Sequence, residues 1–410
     1  MLRLTRFGGA VLLALALAPL FPQACATATR KPAVPDDLQS AAKVPGFSTT
    51  IRYFPSDATH VAEFEKDFLQ SNATETMSRY NEGEEGPLPP ASYLAISGGG
   101  DNGAFGAGLL GGWSANGTRP QFKLVTGVST GALIAPFAFL GPAYDAELKV
   151  MYTGVSLSDI AKKRSVLSVI YGDALADTAP LRKLIQRHVT QEVLEAIAVE
   201  HGRGRILLVA TTNLDVRRPV VWNITKIAAS KVPGSLELVQ KILVASAAIP
   251  GTFPPVMIDV EVNGRAYQEM HVDGGTTGQV FVYPAAAEIY KLFPRQRALY
   301  IIRNARLDPQ WAQVDRRTLP IAFRAITTLI QYQGIADLYT LYSVCQRDNV
   351  DYNLAYIPPS FDTPHKEDFD PEYMKALFAV GQGLAVMGHY WWYKQPPVLL
   401  SGVSQERPVF

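Results

Sequence analysis

The chain has 410 residues, of which 48% are hydrophobic and 18% are charged, and its formal net charge at pH 7 is +1. This composition is typical of a globular protein with a sizeable core and excludes global disorder. The nearly neutral charge gives no indication of nucleic-acid binding or of an electrostatic membrane patch.

Residues 1–26 have the organisation of an export signal. Two arginines precede an apolar stretch over 11–20 that is short for a membrane-spanning helix, and an Ala-Cys-Ala triplet follows it. This order predicts a signal peptide and export to the cell envelope, either to the periplasm or as a membrane-anchored lipoprotein, or secretion. Cys25 has the position of a lipidated cysteine, although Pro22 and Gln23 stand where an aliphatic and a small residue are usual. Cleavage after Ala26 is the alternative.

Residues 27–90 are predicted to be an N-terminal tether and extension. The part from 27 to about 50 is rich in Thr, Ala, Pro and Lys, which predicts a poorly ordered linker. A short amphipathic pattern predicts one helix over 64–69. Turn residues throughout 81–87 predict a loop.

Strand and helix patterns alternate from residue 91 to about residue 290, and this segment is the predicted catalytic core. The predicted elements are strand 93–96, helix 104–110, strand 122–126, helix 130–139, strands 205–210 and 220–224, helix 236–248 and a hairpin over 258–271 that turns at Asn263-Gly264. The alternation predicts an α/β layered fold with a mostly parallel central sheet.

Residues 291–410 are predicted to be the C-terminal part of the same domain, because no linker separates them from the core. Strands are predicted over 298–303 and 352–357, and a long helical pattern covers 319–342. Asp370 followed by proline predicts the start of a further helix, because proline is favoured in the first turn. This part is therefore expected to be a largely helical elaboration.

Ser129 is the candidate nucleophile. It lies in a G-x-S-x-G turn, between Gly127 and Gly131, where a predicted strand leads into a predicted helix. Such a turn bends the backbone tightly and requires small neighbours. The alternative is a serine that caps a helix between two convenient glycines.

Three consecutive glycines are the candidate oxyanion hole. Bare backbone at Gly98, Gly99 and Gly100 can bring N–H donors close to a substrate, and the N–H of Thr130 would be a further donor. The stretch 98–103 also fits the dinucleotide-binding pattern G-x-G-x-x-G. A serine turn follows on the next strand instead of an acidic ribose ligand, which favours acyl transfer.

Asp273 is the candidate general base. It follows a predicted strand and precedes two glycines, and it must lie within hydrogen-bond reach of Ser129 and be desolvated to act near neutral pH. The alternative is a plain turn. His271 could complete a triad, although a structural role is favoured. Since no two histidines have metal-ligand spacing, no metal site or cofactor is predicted.

The glycine triplet, the G-x-S-x-G serine and the D-G-G aspartate resemble, in this order, the motifs of the patatin-like phospholipases. The stretch 245–255 is also similar, and the resemblance covers roughly residues 93–285. It implies a three-layer α/β/α fold and hydrolysis of lipid acyl esters by a Ser-Asp dyad. The residues that it assigns are Ser129 as nucleophile, Asp273 as base, and Gly98, Gly99 and Gly100 as oxyanion hole.

Two positions depart from the family pattern. Ser97 stands where the family often has Asp, and Asn102 stands where it often has Arg or Lys. A missing cation would weaken the oxyanion site or shift its preference among head groups, but it leaves the backbone donors in place.

The predicted function is hydrolysis of carboxylic esters in phospholipids or lysophospholipids, with a lipid ester as substrate and a membrane surface as expected partner. No nucleic acid is expected, and protein partners are left open. The alternative is a non-catalytic envelope protein that binds lipid, or acts as a scaffold, on a hydrolase-like fold. A lid or lipid-contacting surface over 164–184, and an interfacial role for the aromatic run 391–393, are weighed against ordinary packing.

Overall fold

The computed structural model describes residues 30–47, 49–163, 173–388 and 392–397. The predicted signal peptide with Cys25, and the part of the predicted lid over 164–172, therefore lie outside the described residues.

The described residues contain strands and helices in alternation over most of the chain. The strands are β1 (Arg52–Tyr53), β2 (Ala91–Ile96), β3 (Phe122–Val128), β4 (Lys162–Lys163), β5 (Ala176–Asp177), β6 (Ile206–Asn213), β7 (Arg218–Asn223), β8 (Val256–Val262), β9 (Arg265–Asp273), β10 (Arg297–Arg303) and β11 (Val350–Tyr356). The helices are α1 (Ala58–Asn81), α2 (Gly103–Ala115), α3 (Thr130–Leu140), α4 (Asp145–Thr153), α5 (Leu157–Ile160), α6 (Ala179–His188), α7 (Gln191–Gly202), α8 (Ile224–Ala229), α9 (Ser235–Ser246), α10 (Ile289–Leu292), α11 (Thr318–Asp348) and α12 (Pro371–Val386).

The described strands, apart from the short β4–β5 pair, form one nine-stranded sheet in the order β1-β7-β6-β3-β2-β10-β11, with β9 paired to β6 and β8 paired to β9. The strands from β6 to β11 along this path pair in parallel, whereas β7, β1, β9 and β8 are antiparallel additions. The predicted mostly parallel sheet is confirmed. The hairpin β8–β9 turns at Asn263-Gly264, as predicted, and both turn residues have positive φ.

Two hydrophobic clusters cover the two faces of the sheet. Alternation along β2 shows this directly, because Leu94 and Ile96 pack into one cluster while Tyr93 and Ala95 pack into the other. Helices α2, α3, α9 and α12 contribute to the first cluster, and α1 and α11 to the second. The result is the expected three-layer α/β/α fold.

Helices α2 and α12 pack at backbone contact. A Cβ added at Gly108 would lie 2.0 Å from the carbonyl oxygen of Phe378, and one at Gly381 would lie 2.3 Å from that of Phe105. Glycine is therefore required at both positions by space alone. The C-terminal helix is thus part of the same packed body as the glycine loop from which α2 begins, and β10 and β11 extend the central sheet, so this part is not only helical.

The predicted disorder of the N-terminal tether is wrong for the described part of it. Arg52 in β1 forms a fully buried ion pair of 2.5 Å with Glu269 of β9, and Lys43 pairs with Glu261 of β8 as a backbone bridge. Arg30 forms a bidentate ion pair with Asp215, in which its Nη1 and Nη2 donate to the two carboxylate oxygens at 2.7 Å each. These ionic and backbone contacts tie residues 30–53 to the β8–β9 hairpin and to the turn between β6 and β7, although the composition of this segment is that of a linker.

Helix α1 is much longer than its predicted counterpart over 64–69. It has 24 residues, and Asp57 caps it by accepting from the N–H groups of Thr59 and His60. Only a narrow stripe around Phe64 and Phe68 is deeply apolar and buried, so hydrophobic periodicity marks just the middle of the helix. Across the residues that the structure describes, no helix has the length and hydropathy of a membrane span.

Candidate active site

Ser129 lies at the sharp turn between β3 and α3, with φ 54° and ψ −125°. A non-glycine residue rarely adopts this conformation, which stores roughly 1–3 kcal/mol of strain. The flanking glycines make the turn possible. A Cβ at Gly127 would lie 2.4 Å from the Gly131 carbonyl oxygen, and one at Gly131 would lie 2.3 Å from that of Ile96. The predicted need for small neighbours therefore has a direct steric cause.

The hydroxyl of Ser129 donates a hydrogen bond of 2.6 Å to Oδ2 of Asp273. Asp273 is the last residue of β9 and lies beside Thr211 of β6 in the sheet. Its other oxygen, Oδ1, accepts from the N–H of Gly275 at 2.7 Å, which fixes the carboxyl plane. The two residues are 144 positions apart in the chain and both are buried, at 7% and 5% exposure. The fold thus brings the two predicted catalytic groups into direct contact.

Burial raises the pKa of Asp273 from 3.8 to about 7, against the opposing effect of the hydrogen bonds from Ser129 and the Gly275 N–H. Desolvation disfavours a charged carboxylate, and no cation among the described residues offsets it. A carboxylate with a pKa near 7 is a far better proton acceptor at neutral pH than an ordinary aspartate. The desolvation that the sequence argument required is therefore present.

The backbone of Ser129 is held by a residue that the sequence analysis did not single out. The Ser129 N–H donates to Oγ of Ser246 at 3.0 Å, and that hydroxyl donates to the carbonyl of Ala210 at 2.7 Å. Ser246 ends α9 and is fully buried. It lies in the stretch 245–255, whose resemblance to the family is the sequence feature that could have marked it. Its hydrogen-bond partners are seen only in the fold.

The glycine loop runs directly beside the serine. A Cβ at Gly98 would lie 3.1 Å from Cβ of Ser129, and one at Gly99 would lie 2.1 Å from the carbonyl oxygen of Asn304. The N–H of Gly98, however, donates to the carbonyl of Gln279 at 3.1 Å. The expectation that Gly98 supplies a free oxyanion donor therefore disagrees with this contact, and its role is to join the loop to the segment after Asp273.

Gly99, Gly100 and Thr130 retain donors that face no acceptor within the part of the chain that the structure describes. Thr130 is the first residue of α3, where N–H groups have no intrahelical acceptor and the helix dipole favours negative charge. Its side chain is held by a hydrogen bond of 2.6 Å to the hydroxyl of Tyr152. Thr130 directly follows Ser129 in the chain, and Gly99 and Gly100 follow Gly98, which lies beside the serine.

Ser97 fixes the start of the glycine loop. Its hydroxyl accepts from the N–H of Asn304 at 2.8 Å and donates to the carbonyl of Gly98 at 2.7 Å. The amide of Asn304 in turn donates to the Ser97 carbonyl at 2.9 Å and accepts from the N–H of Gly106 at 3.0 Å. This departure from the family pattern therefore has a structural use.

The second half of the loop is held from the C-terminal part of the chain. Asp101 contacts Nε2 of His365 at 2.7 Å and accepts from the N–H of Phe369 at 2.8 Å. The hydroxyl of Tyr373 donates to Oδ1 of Asn102 at 2.7 Å. The asparagine that replaces the family's cation is thus a hydrogen-bond anchor for α12.

Gln279 connects the loop, the Asp273 turn and α11. Its N–H donates to Asp337 at 2.6 Å and its side-chain amide donates to the Gly275 carbonyl at 2.8 Å. Its Oε1 accepts from Nη1 of Arg303 at 3.3 Å. Arg303 is 2% exposed, and burial lowers the pKa of its guanidinium to about 10. The buried cation Arg303 therefore lies behind the glycine loop, and no sequence motif predicted it.

His271 has a structural position. Nδ1 of its ring lies 2.9 Å from Oγ1 of Thr211, and Nε2 lies 3.0 Å from Glu269, the partner of Arg52. Both ring nitrogens are thus engaged away from the serine, and burial lowers the pKa of the imidazole. This arrangement opposes the triad alternative and agrees with the structural role that was favoured.

Cys345 and the described part of the aromatic run 391–393 lie outside the site. Within the described ranges, no cluster of three or more His, Cys, Asp and Glu residues could hold a metal ion. Cys345 is buried in α11, and burial raises the pKa of its thiol to about 12. Trp392 packs 5.0 Å from the ring of Trp113, so the described part of the aromatic run covers the core.

Residues 94–286 match the family model of the patatin-like phospholipases. The match contains Ser129, Asp273 and the glycine loop, and it ends before β10. No curated protein matches the chain significantly.

The structure is similar to two solved structures at very low sequence identity. The crystal structure of VipD from Legionella pneumophila is 10% identical with a TM-score of 0.35, and the match covers 74% of this chain and 67% of that one. The crystal structure of the type III effector protein ExoU is 12% identical with a TM-score of 0.22, covering 73% and 53%. The chain thus spans about half the length of the ExoU chain.

Proposed function

Since residues 94–286 form a domain of the patatin-like phospholipase family, a family of lipid acyl hydrolases, we propose that this protein cleaves carboxylic esters of phospholipids or lysophospholipids through a dyad of Ser129 and Asp273. The observation that carries the proposal is the 2.6 Å hydrogen bond from the serine hydroxyl to a buried carboxylate whose pKa is raised to about 7.

In the proposed acylation, the Ser129 oxygen attacks the ester carbonyl carbon while Asp273 accepts the hydroxyl proton. The carbonyl oxygen becomes an oxyanion, which the N–H groups of Gly99, Gly100 and Thr130 stabilise, each by about 3 kcal/mol when well placed. The intermediate collapses, the C–O bond to the alcohol breaks, and Asp273 returns the proton to the leaving alkoxide.

Deacylation repeats these steps with water as the nucleophile. Asp273 takes a proton from the water molecule as its oxygen attacks the acyl carbon, and the proton then returns to the Ser129 oxygen as the fatty acid leaves. The products are a free fatty acid and the de-acylated lipid alcohol.

A fluorophosphonate probe tests the nucleophile directly, because it phosphonylates activated serines. We expect stoichiometric labelling on the peptide that contains Ser129, and loss of labelling in the Asp273→Asn variant, which keeps the shape of the carboxyl group. Ser129→Ala should abolish hydrolysis of lipid esters. Absence of labelling in folded wild-type protein, combined with retention of lipid, would instead favour the non-catalytic lipid-binding alternative.

A further inference from the structure

The N-terminal half of α11 carries a surface that nothing in the described structure covers. No residue from Thr318 to Gln333 is buried, although this stretch forms roughly four turns of regular helix, about 24 Å long. Large apolar side chains are exposed along it and in the segment just before it, and we call them the α11 apolar surface. They are Trp311, Leu319, Ile321, Phe323, Ile326, Leu329 and Tyr332.

The size of this surface is unusual for a water-exposed helix. Phe323 is 67% exposed, Leu329 is 70% exposed and Trp311 is 89% exposed. Contiguous exposed apolar patches of this kind mark interaction sites, because water contact with so many large apolar side chains is unfavourable. The helix is not apolar enough to cross a membrane.

The charge of residues 316–336 indicates what kind of partner this surface binds. Between residues 316 and 336 there are three arginines and no acidic residue, and Arg316 and Arg317 are exposed at the start of the helix. Apolar and aromatic side chains beside arginines are the composition of a helix that lies in a membrane interface and contacts anionic head groups. The acidic residues Asp315 and Asp337 bound the stretch on either side.

The position of the surface relates it to the catalytic dyad. Directly after Tyr332, Gln333 donates to the Thr277 carbonyl, and about one turn further along Asp337 accepts from the Gln279 N–H. Both contacts hold the segment that directly follows Asp273-Gly274-Gly275. The exposed half of α11 therefore adjoins the segment that follows Asp273, at the carboxyl end of the parallel strands.

We propose that the α11 apolar surface docks the protein onto an anionic lipid bilayer and presents the dyad to ester bonds in that bilayer. The second half of this statement rests on the proposed lipid hydrolysis, whereas the docking itself does not.

The test uses the full chain with Ser129→Ala, so that vesicles stay intact, and equimolar phosphatidylcholine and phosphatidylglycerol vesicles. The double variant Phe323→Asp and Leu329→Asp removes two exposed anchors without touching the core. Its matched control is Met77→Asp and Tyr80→Asp on α1, where the side chains are 58% and 65% exposed. We expect the α11 variant to lower vesicle partitioning by roughly a hundredfold, about tenfold per anchor, and the α1 control to leave it unchanged.

A second measurement locates the contact, because other parts of the chain could also bind vesicles. Dibrominated acyl chains should quench the fluorescence of Trp311, and the Trp311→Phe variant should lose that quenching. Equal partitioning of the α11 and α1 variants, or quenching unaffected by Trp311→Phe, would overturn the proposal. So would a dimer in solution that the α11 variant dissociates without any change in vesicle binding.

Two substrates separate this proposal from the proposed function. With Ser129 intact, the α11 variant should hydrolyse a soluble short-chain ester at the wild-type rate and lose activity only on vesicles. If soluble and vesicle esters are both untouched by wild-type protein while docking persists, the hydrolase proposal fails and the docking proposal stands.

Discussion

Asp273→Asn should abolish catalysis and at the same time stabilise the fold at neutral and alkaline pH. The pKa of Asp273 rises from 3.8 to about 7 on burial, so the folded protein keeps this proton at pH values where the unfolded chain has released it. Between about pH 4 and pH 7 the folded state binds more protons than the unfolded state, and the free energy of unfolding falls as pH rises. The amide in the variant has no such ionisation.

The size of the effect follows from the two pKa values. Each pH unit between them is worth about 1.4 kcal/mol, so the full penalty in the wild-type protein approaches about 4 kcal/mol above pH 7. From pH 4.5 to pH 8 the variant should gain about 3 kcal/mol relative to wild type. For a chain of this length the unfolding entropy is about 0.9 kcal/mol/K, which converts that gain to a relative Tm shift of about 3–4 °C.

The assay is thermal unfolding of wild type and variant across pH 4.5–8, followed by circular dichroism. Asp215→Asn is the control. Although burial opposes it, the hydrogen bonds from Arg30 and the Met270 N–H lower the pKa of Asp215, so its effect on Tm should be flat above pH 5. A Tm difference between Asp273→Asn and wild type that does not change with pH would refute the argument.

Wild-type kcat/KM on a soluble ester should rise through about pH 7, since the same carboxylate is the base.

Three further substitutions separate the parts of the site. Gly99→Ala places a Cβ 2.1 Å from the Asn304 carbonyl oxygen and should lower kcat by about a hundredfold or more. The added methyl group of Gly100→Ala meets open space, so this variant should lose only about 1 kcal/mol of stability to positive-φ strain and should keep measurable activity. Equal kcat losses would show that the donors of this loop are not positioned by the close contact at Gly99. His271→Gln should lower Tm but leave fluorophosphonate labelling of Ser129 within a factor of about three, because His271 contacts Glu269 and Thr211 and not the dyad. Loss of labelling in folded protein would restore the triad hypothesis.

The sequence predicts the layered fold well because its strongest signals are local. The buried strand β6 begins with a continuous apolar run over 206–210, and Asn263-Gly264 marks a hairpin by its turn chemistry alone. The nucleophile turn is also local, since Gly127 and Gly131 flank Ser129. The order of the motifs then allowed Asp273 to be selected among many aspartates.

The parts that the sequence did not reveal depend on contacts between distant residues. Ser246 holds the Ser129 N–H from 117 positions away, and Arg303 lies behind the glycine loop through Gln279. The N-terminal segment has the composition of a linker, yet the buried ion pair of Arg52 with Glu269 depends on residues 217 positions apart. No local pattern encodes such partners, and Gly98 was mistaken for a free donor for the same reason.

The place of β10 in the sheet has a consequence for how this protein can be divided. The family match ends at residue 286, but β10 lies between β2 and β11 and pairs with β2 over the whole length of β2. A fragment cut at the end of the match would leave β2, the strand that leads into the glycine loop, as a bare edge. Open edges of flat apolar strands recruit other chains, so the excised fragment should aggregate. The segment that matches the family model is therefore shorter than the unit that should fold on its own.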